Sequence, residues 1–219
     1  MAQWKEIVGL PFTASALREY VAALKFTTWR PRFVVVHNTG VPNFADWHRY
    51  TGEQRMRGLT HYYRDERGWS AGPHLFVADD FIWVFTPLTT SGVHSPSWNA
   101  FSWGVEIVGD YATEIFGGAV EANAVQALAT LHETIGLDPQ SMRPHREDPL
   151  TTHQCPGRNL DIQKLRDDVG AELARRQAGE HHSDEMRAVI PEDALVVGTR
   201  RRKARPRPRP RRKRARKKK

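Results

Sequence analysis

Apolar and polar positions alternate along most of the chain between a two-residue and a three-to-four-residue period. Residues 15–25 (SALREYVAALK) put Leu17, Tyr20, Val21 and Leu24 on one helical face, with Thr13 or Ser15 placed to cap it. Residues 32–37 (RFVVVH) form a β-branched run that suits a strand buried on both faces, ended by Asn38, Thr39 and Gly40. His37 therefore falls at a strand's C-terminal end. Between residues 46 and 67 the spacing of Trp47, Tyr50, Met56, Leu59, Tyr62 and Tyr63 predicts one surface helix, weakened by Gly52 and Gly58. Residues 74–78 and 82–85 read as two strands joined in hairpin fashion through Asp79 and Asp80. A Ser-, Pro- and Gly-rich loop over 86–102 carries His94, Trp98 and Asn99, and residues 103–108 (WGVEIV) follow as a strand. Residues 119–135 are amphipathic, with Val120, Ala124, Ala127, Leu128, Leu131 and Ile135 on one side and Gly136 at the end. A second loop, 137–160, holds His145, His153 and Cys155 among prolines, and a last helix runs from 161 to about 177. Strands interleaved with helices predict an α/β fold: a single domain with a mixed central sheet flanked by helices.

Composition changes the picture at the C-terminus. Of the 33 Lys and Arg residues, 15 lie in residues 200–219, which contain no acid. The rest of the chain has 18 basic against 25 acidic residues, near −7, while the tail carries +15. The sequence thus divides into a folded domain over 1–178, a linker over 179–199 without sustained period, and a disordered Arg/Lys/Pro-rich tail over 200–219 that cannot bury enough surface to fold alone. Such a tail is expected to adhere to anionic polymers or lipid head groups, and the absence of aromatic residues in it argues against specific nucleic-acid readout. Residues 1–10 have no apolar core of signal-peptide length, and no stretch approaches the ~20 apolar residues of a membrane span. The expectation is synthesis as a soluble cytoplasmic protein without a signal peptide. Cys155 is the only cysteine, so no intrachain disulfide forms and its role is packing, metal binding or reactivity.

Three residues of metal-binding type stand out. His37 at a strand end, with His145 and Cys155 ten residues apart in one loop, supply the three protein ligands of a catalytic zinc site that keeps a fourth position open. Each also has an ordinary reading: a histidine after a strand is commonly a surface or hydrogen-bonded residue, and a single cysteine a small buried hydrophobe. Cys155, however, lies in a polar turn, Thr152-His153-Gln154-Cys155-Pro156-Gly157, with no apolar neighbours to pack it. Glu106 sits inside a Val and Ile strand, where a carboxylate is costly unless paired, hydrogen-bonded or functional; it is either a solvent-facing edge residue, half of a salt bridge, or part of a site.

Taken together these residues resemble the zinc-dependent N-acetylmuramoyl-L-alanine amidases, the family that includes phage lysins and the peptidoglycan recognition proteins. The matching segments are Val34-Val35-Val36-His37-Asn38-Thr39, Ser70-Ala71-Gly72-Pro73-His74-Leu75-Phe76-Val77, Val93-His94-Ser95, Trp103-Gly104-Val105-Glu106-Ile107-Val108-Gly109, Pro144-His145-Arg146 and Cys155-Pro156-Gly157, in the family's order. The resemblance implies that His37, His145 and Cys155 bind Zn2+ and that Glu106 is the base handling the catalytic water. His94, with Asn38 and Trp98, would line the substrate groove. His153 stands where many members have a Lys that helps stabilise the oxyanion, and an imidazole that donates N–H can do that work. Pro73 stands where some relatives have a Tyr, so that hydroxyl's function is absent or moved. The implied activity is hydrolysis of the amide between N-acetylmuramic acid and L-alanine of the stem peptide, in a phage or prophage endolysin that acts at the wall after release. A non-hydrolytic peptidoglycan-binding protein is the alternative, and the complete ligand set favours the enzyme.

Overall fold

The computed structural model describes residues 3–189, with side chains to residue 179. The expected tail at 200–219 and the last part of the linker lie outside the described residues.

Alternation does most of the building. Six strands form one mixed sheet: β1 (Leu10–Phe12), β2 (Phe33–Asn38), β3 (Leu75–Val77), β4 (Ile82–Val84), β5 (Ser102–Ile107) and β6 (Arg143–Pro144). Their order is β1-β4-β3-β5-β2-β6. β3, β5, β2 and β6 are mutually parallel; at one edge β4 pairs antiparallel with β3, and β1 pairs antiparallel with β4. Since successive side chains of a strand point to opposite faces, β2 sends Val34 and Val36 one way and Val35 and His37 the other. On the first face Val34, Val36, Leu75, Val77, Ile82, Val84, Val105 and Ile107 join Leu17 and Val21 of α1 (Ala14–Ala22), Ala124, Leu128 and Leu131 of α4 (Gly118–Ile135), and Leu165 and Val169 of α5 (Ile162–Val189) in one core. The opposite face carries Phe76 and Trp83, packed against Trp47 of α2 (Phe44–Trp47) and Met56 of α3 (Gly52–Thr60).

Local chemistry sets the helix ends. Thr13, rather than Ser15, caps α1 by accepting from the Ala16 amide at 3.3 Å, and Gly136 closes α4 in the left-handed conformation (φ 69°). The single helix expected over 46–67 is in fact three pieces. Thr51 and Gln54 form a reciprocal capping box that starts a new helix, α3, and a π-helical turn, His61–Glu66, follows directly. Gly52 is required at the break, because a Cβ there would sit 2.0 Å from the Trp83 ring. Two further differences concern pairing. β1 and β6 are absent from the sequence reading because strands of three and two residues leave no period to detect. Helix α5 runs to Val189, into the span expected as linker.

Candidate metal centre and groove

Strand register brings the first two groups together. β2 and β5 pair in parallel with His37 opposite Glu106, both at C-terminal ends and on the same face. β6 pairs with β2 through Val35–Arg143 and Val36–Pro144, so that His145, the next residue, emerges beside His37. Their rings lie 4.4 Å apart between centroids. The loop that follows folds back: the Arg146 amide donates to the Cys155 carbonyl at 2.8 Å, and the Asn38 amide donates to Cys155 Sγ at 3.3 Å. One donor atom from each of His37, His145 and Cys155 thereby falls within 4.8 Å of the other two. Among the described residues this is the only group of three or more His, Cys, Asp or Glu so arranged.

The donors suit a soft divalent cation such as zinc. His145 Nε2 and Glu106 Oε2 are buried and make no hydrogen bond, which is costly for polar atoms and common where a ligand completes them. His37 Nε2 is engaged by His94 Nδ1 at 3.2 Å, and its free Nδ1 looks toward Glu106 Oε1, 3.9 Å away. Burial holds His37 well below the ordinary histidine value, with His94 and His145 adding to the effect, and burial likewise lowers His145. Both imidazoles are therefore neutral and keep a lone pair for coordination. Burial pushes Glu106 up to about 8 and also raises the Cys155 thiol, to which Glu106 adds. Hence the His37–Glu106 approach is not an ion pair. A bound cation would favour both the thiolate and the carboxylate.

These groups form the floor of a groove of about 920 Å³. Asn38, His94 and His153 also line it. His153 is exposed at the mouth, whereas His94 is 6% exposed. Trp98 does not line the groove: its ring packs edge-on against Phe33 at 5.5 Å, beneath the Arg143 guanidinium, so the expected contact with substrate finds no support. The reason is a tight turn, held by Asn99 Oδ1 accepting from the His94 and Ser95 amides at 2.7 and 2.8 Å, that points His94 inward and leaves Trp98 on the flank.

The sequence reading did not single out two further groups. Tyr63 lies on the π-helical turn, its ring stacked on Trp69 (5.3 Å) and close against Gly72, where a Cβ would be 3.0 Å from it. It lines the groove, and its hydroxyl makes no hydrogen bond among the described residues. Burial, then Glu106, Tyr62 and Cys155, raise its pKa well above the phenol value, so it remains a donor. Its only sequence signal was adjacency: Tyr62 and Tyr63 cannot both face inward on a regular helix. Asp148 is the other. Its Oδ2 accepts from the Ser95 hydroxyl and from the Ser97 amide at 3.0 Å, while its own amide donates to the His145 carbonyl at 2.9 Å.

Comparison with known proteins gives a consistent picture. An N-acetylmuramoyl-L-alanine amidase family model matches residues 27–158, from just before β2 to just beyond Cys155. No curated protein matches the chain. Among solved structures, the endolysin N-acetylmuramoyl-L-alanine amidase LysCS from Clostridium intestinale is similar over 65% of this chain and 85% of its own, at 21% identity and TM-score 0.54. The Drosophila peptidoglycan recognition protein PGRP-LB is similar over 62% and 80%, at 22% identity and TM-score 0.51. An endolysin of a Thermus scotoductus bacteriophage covers 66% and 88%, at 18% identity and TM-score 0.50. At such identities the structural likenesses establish a shared fold, and the family match, which spans more than half of the chain, establishes kinship: this protein belongs to the N-acetylmuramoyl-L-alanine amidase family.

Proposed function

We propose that the protein is a zinc-dependent peptidoglycan hydrolase that cleaves the amide between the lactyl group of N-acetylmuramic acid and L-alanine. The observation that carries this reading is the convergence of His37, His145 and Cys155 donor atoms within 4.8 Å at the floor of a groove that also holds the Glu106 carboxyl, whose Oε2 makes no hydrogen bond. Zinc bound by these three residues would supply a Lewis acid and lower the pKa of water toward neutrality.

The remaining work falls to side chains. Glu106, on the strand next to His37, takes the proton of the attacking water and passes it to the departing amine of L-alanine. Desolvation at the base of the groove raises its pKa to about 8, the range that suits a group which must both accept and release a proton. The Tyr63 hydroxyl, and His153 at the mouth, are donors for the oxygen of the scissile carbonyl as it gains charge. Tyr63 stands against Gly72, beside the Pro73 that has no hydroxyl, which supports a moved donor rather than a missing one. Asn38 and the exposed Tyr50 and Tyr62 offer contacts to the sugar and stem peptide along the walls. The basic residues 200–219 support adhesion to anionic envelope polymer, in keeping with an endolysin that meets the wall after release.

The test is to assay wild type and Cys155→Ser side by side for bound zinc and for stem peptide freed from purified sacculi. Loss of both in the variant is expected. A wild-type protein that binds sacculi but frees no peptide with zinc present would instead favour the non-hydrolytic, receptor-like reading.

A further inference from the structure

We propose that His94 is a positioning residue: its Nδ1 accepts the Nε2 proton of His37 and thereby fixes His37 with Nδ1 bare and directed at the metal position. This rests on the zinc reading given above and assigns His94 a part other than contact with substrate.

The proton positions follow from what each partner can do. His94 Nε2 is 3.4 Å from the Ser102 carbonyl oxygen, which only accepts, so the ring's single proton is on Nε2. Nδ1 is then a bare acceptor. The group facing it at 3.2 Å is His37 Nε2, which must therefore donate. His37 in turn has its lone pair on Nδ1, on the side of Glu106 Oε1. The neighbouring ring repeats the pattern: His74 Nδ1 accepts from the Gly104 amide at 3.0 Å, and its Nε2 donates to the Thr90 carbonyl at 2.9 Å. His74 is fully buried and His94 is 6% exposed, so little of either ring is open to a partner other than these.

The surroundings are shaped to hold His94 in that place. A Cβ on Gly104 would stand 2.3 Å from the His94 ring, so the ring occupies the space that any other residue of β5 would fill. The main chain at His94 is fixed by Asn99 Oδ1, and Asp148 ties the same turn to the backbone of His145. One strut thus couples the segment that orients His37 to the segment that carries another ligand. Such outer hydrogen bonds set the tautomer and ring orientation of a metal-binding histidine, and their loss typically weakens metal binding about 10–100-fold.

The experiment has two parts. In metal-free wild type, 1H–15N correlation spectra of the histidine rings should show His37 protonated on Nε2; protonation on Nδ1 would overturn the proposal whatever the variants do. Zinc affinity is then measured by chelator competition for wild type, His94→Ala and His94→Gln. The alanine variant should bind about 10–100-fold more weakly. The glutamine variant, whose side-chain oxygen can accept from His37 Nε2, should recover most of the loss, which a purely space-filling role would not produce. Equal affinity of wild type and alanine variant, or a glutamine variant as weak as alanine, would reject the role of His94 while leaving the zinc reading intact. Failure of wild type itself to bind zinc would overturn both, and it appears before any variant is compared.

Discussion

The two faces of the central sheet are built from alternate residues of the same strands, yet they obey different rules. The face under α1, α4 and α5 is all hydrocarbon: Val34, Val36, Leu75, Val77, Val105 and Ile107 are each 0% exposed. Each such side chain contributes roughly 1.5–3 kcal/mol through burial. The other face buries His37 and Gly104 beside the partly exposed Glu106, leaves Glu106 Oε2 and His145 Nε2 without hydrogen bonds, and covers them with a groove instead of a helix. The difference teaches where stability and reactivity reside. Unsatisfied buried polar atoms each cost about 1–3 kcal/mol, and an apolar face one residue out of phase can offset that cost without touching the chemistry.

Three substitutions test this division, beginning with the largest effect. Glu106→Gln should retain zinc but lower the rate of stem-peptide release by ~10²–10⁴-fold, the usual contribution of a positioned acid–base group. Glu106→Leu, which removes the orphaned oxygen, should melt no lower than wild type in the metal-free state. Full hydrolysis by the glutamine variant would take Glu106 out of the mechanism. On the opposite face, Leu128→Ala should cost about 2–5 kcal/mol in urea unfolding through the cavity it leaves. Zinc affinity in the folded protein should stay unchanged. A large loss of zinc affinity there would mean the faces are not independent.

The smallest effect concerns Asp148, which joins the site's two loops. Burial pushes its carboxyl up, but hydrogen bonds from Ser95, Ser97 and the Leu150 amide outweigh this and hold it below the ordinary value. A depressed native pKa gives stability that is fully present above the unfolded value of about 3.9 and is lost as pH falls through the native value. Asp148→Asn should therefore melt below wild type at neutral pH, with the gap closing below about pH 4. A gap independent of pH would show that the carboxylate charge plays no part in holding the turn.

Read as a string, the chain already disclosed the first face and much of the second. β-Branched runs and the helical period of residues 119–135 specify burial on their own, since they need only any apolar partner. The motifs around His37, Glu106, His145 and Cys155 carried the resemblance to the amidase family, and that resemblance nominated the metal set. The helix expected over 46–67 failed for a local reason, the Thr51–Gln54 capping box with Trp83 pressed on Gly52. Trp98 lies outside the groove for a tertiary one, because the Asn99-held turn decides which side chain of that loop faces in.

What the sequence by itself determined was the inventory: which strands alternate, which residues can bind a cation, and where charge accumulates. Only the tertiary structure decided which of ten histidines meet. A parallel register of β2 with β5 and β6 sets His37 beside Glu106 and His145, and a missing Cβ at Gly104 admits His94. A π-turn aims Tyr63 at the groove. Those facts depend on pairings between segments 30 to more than 100 residues apart, and no local period records them.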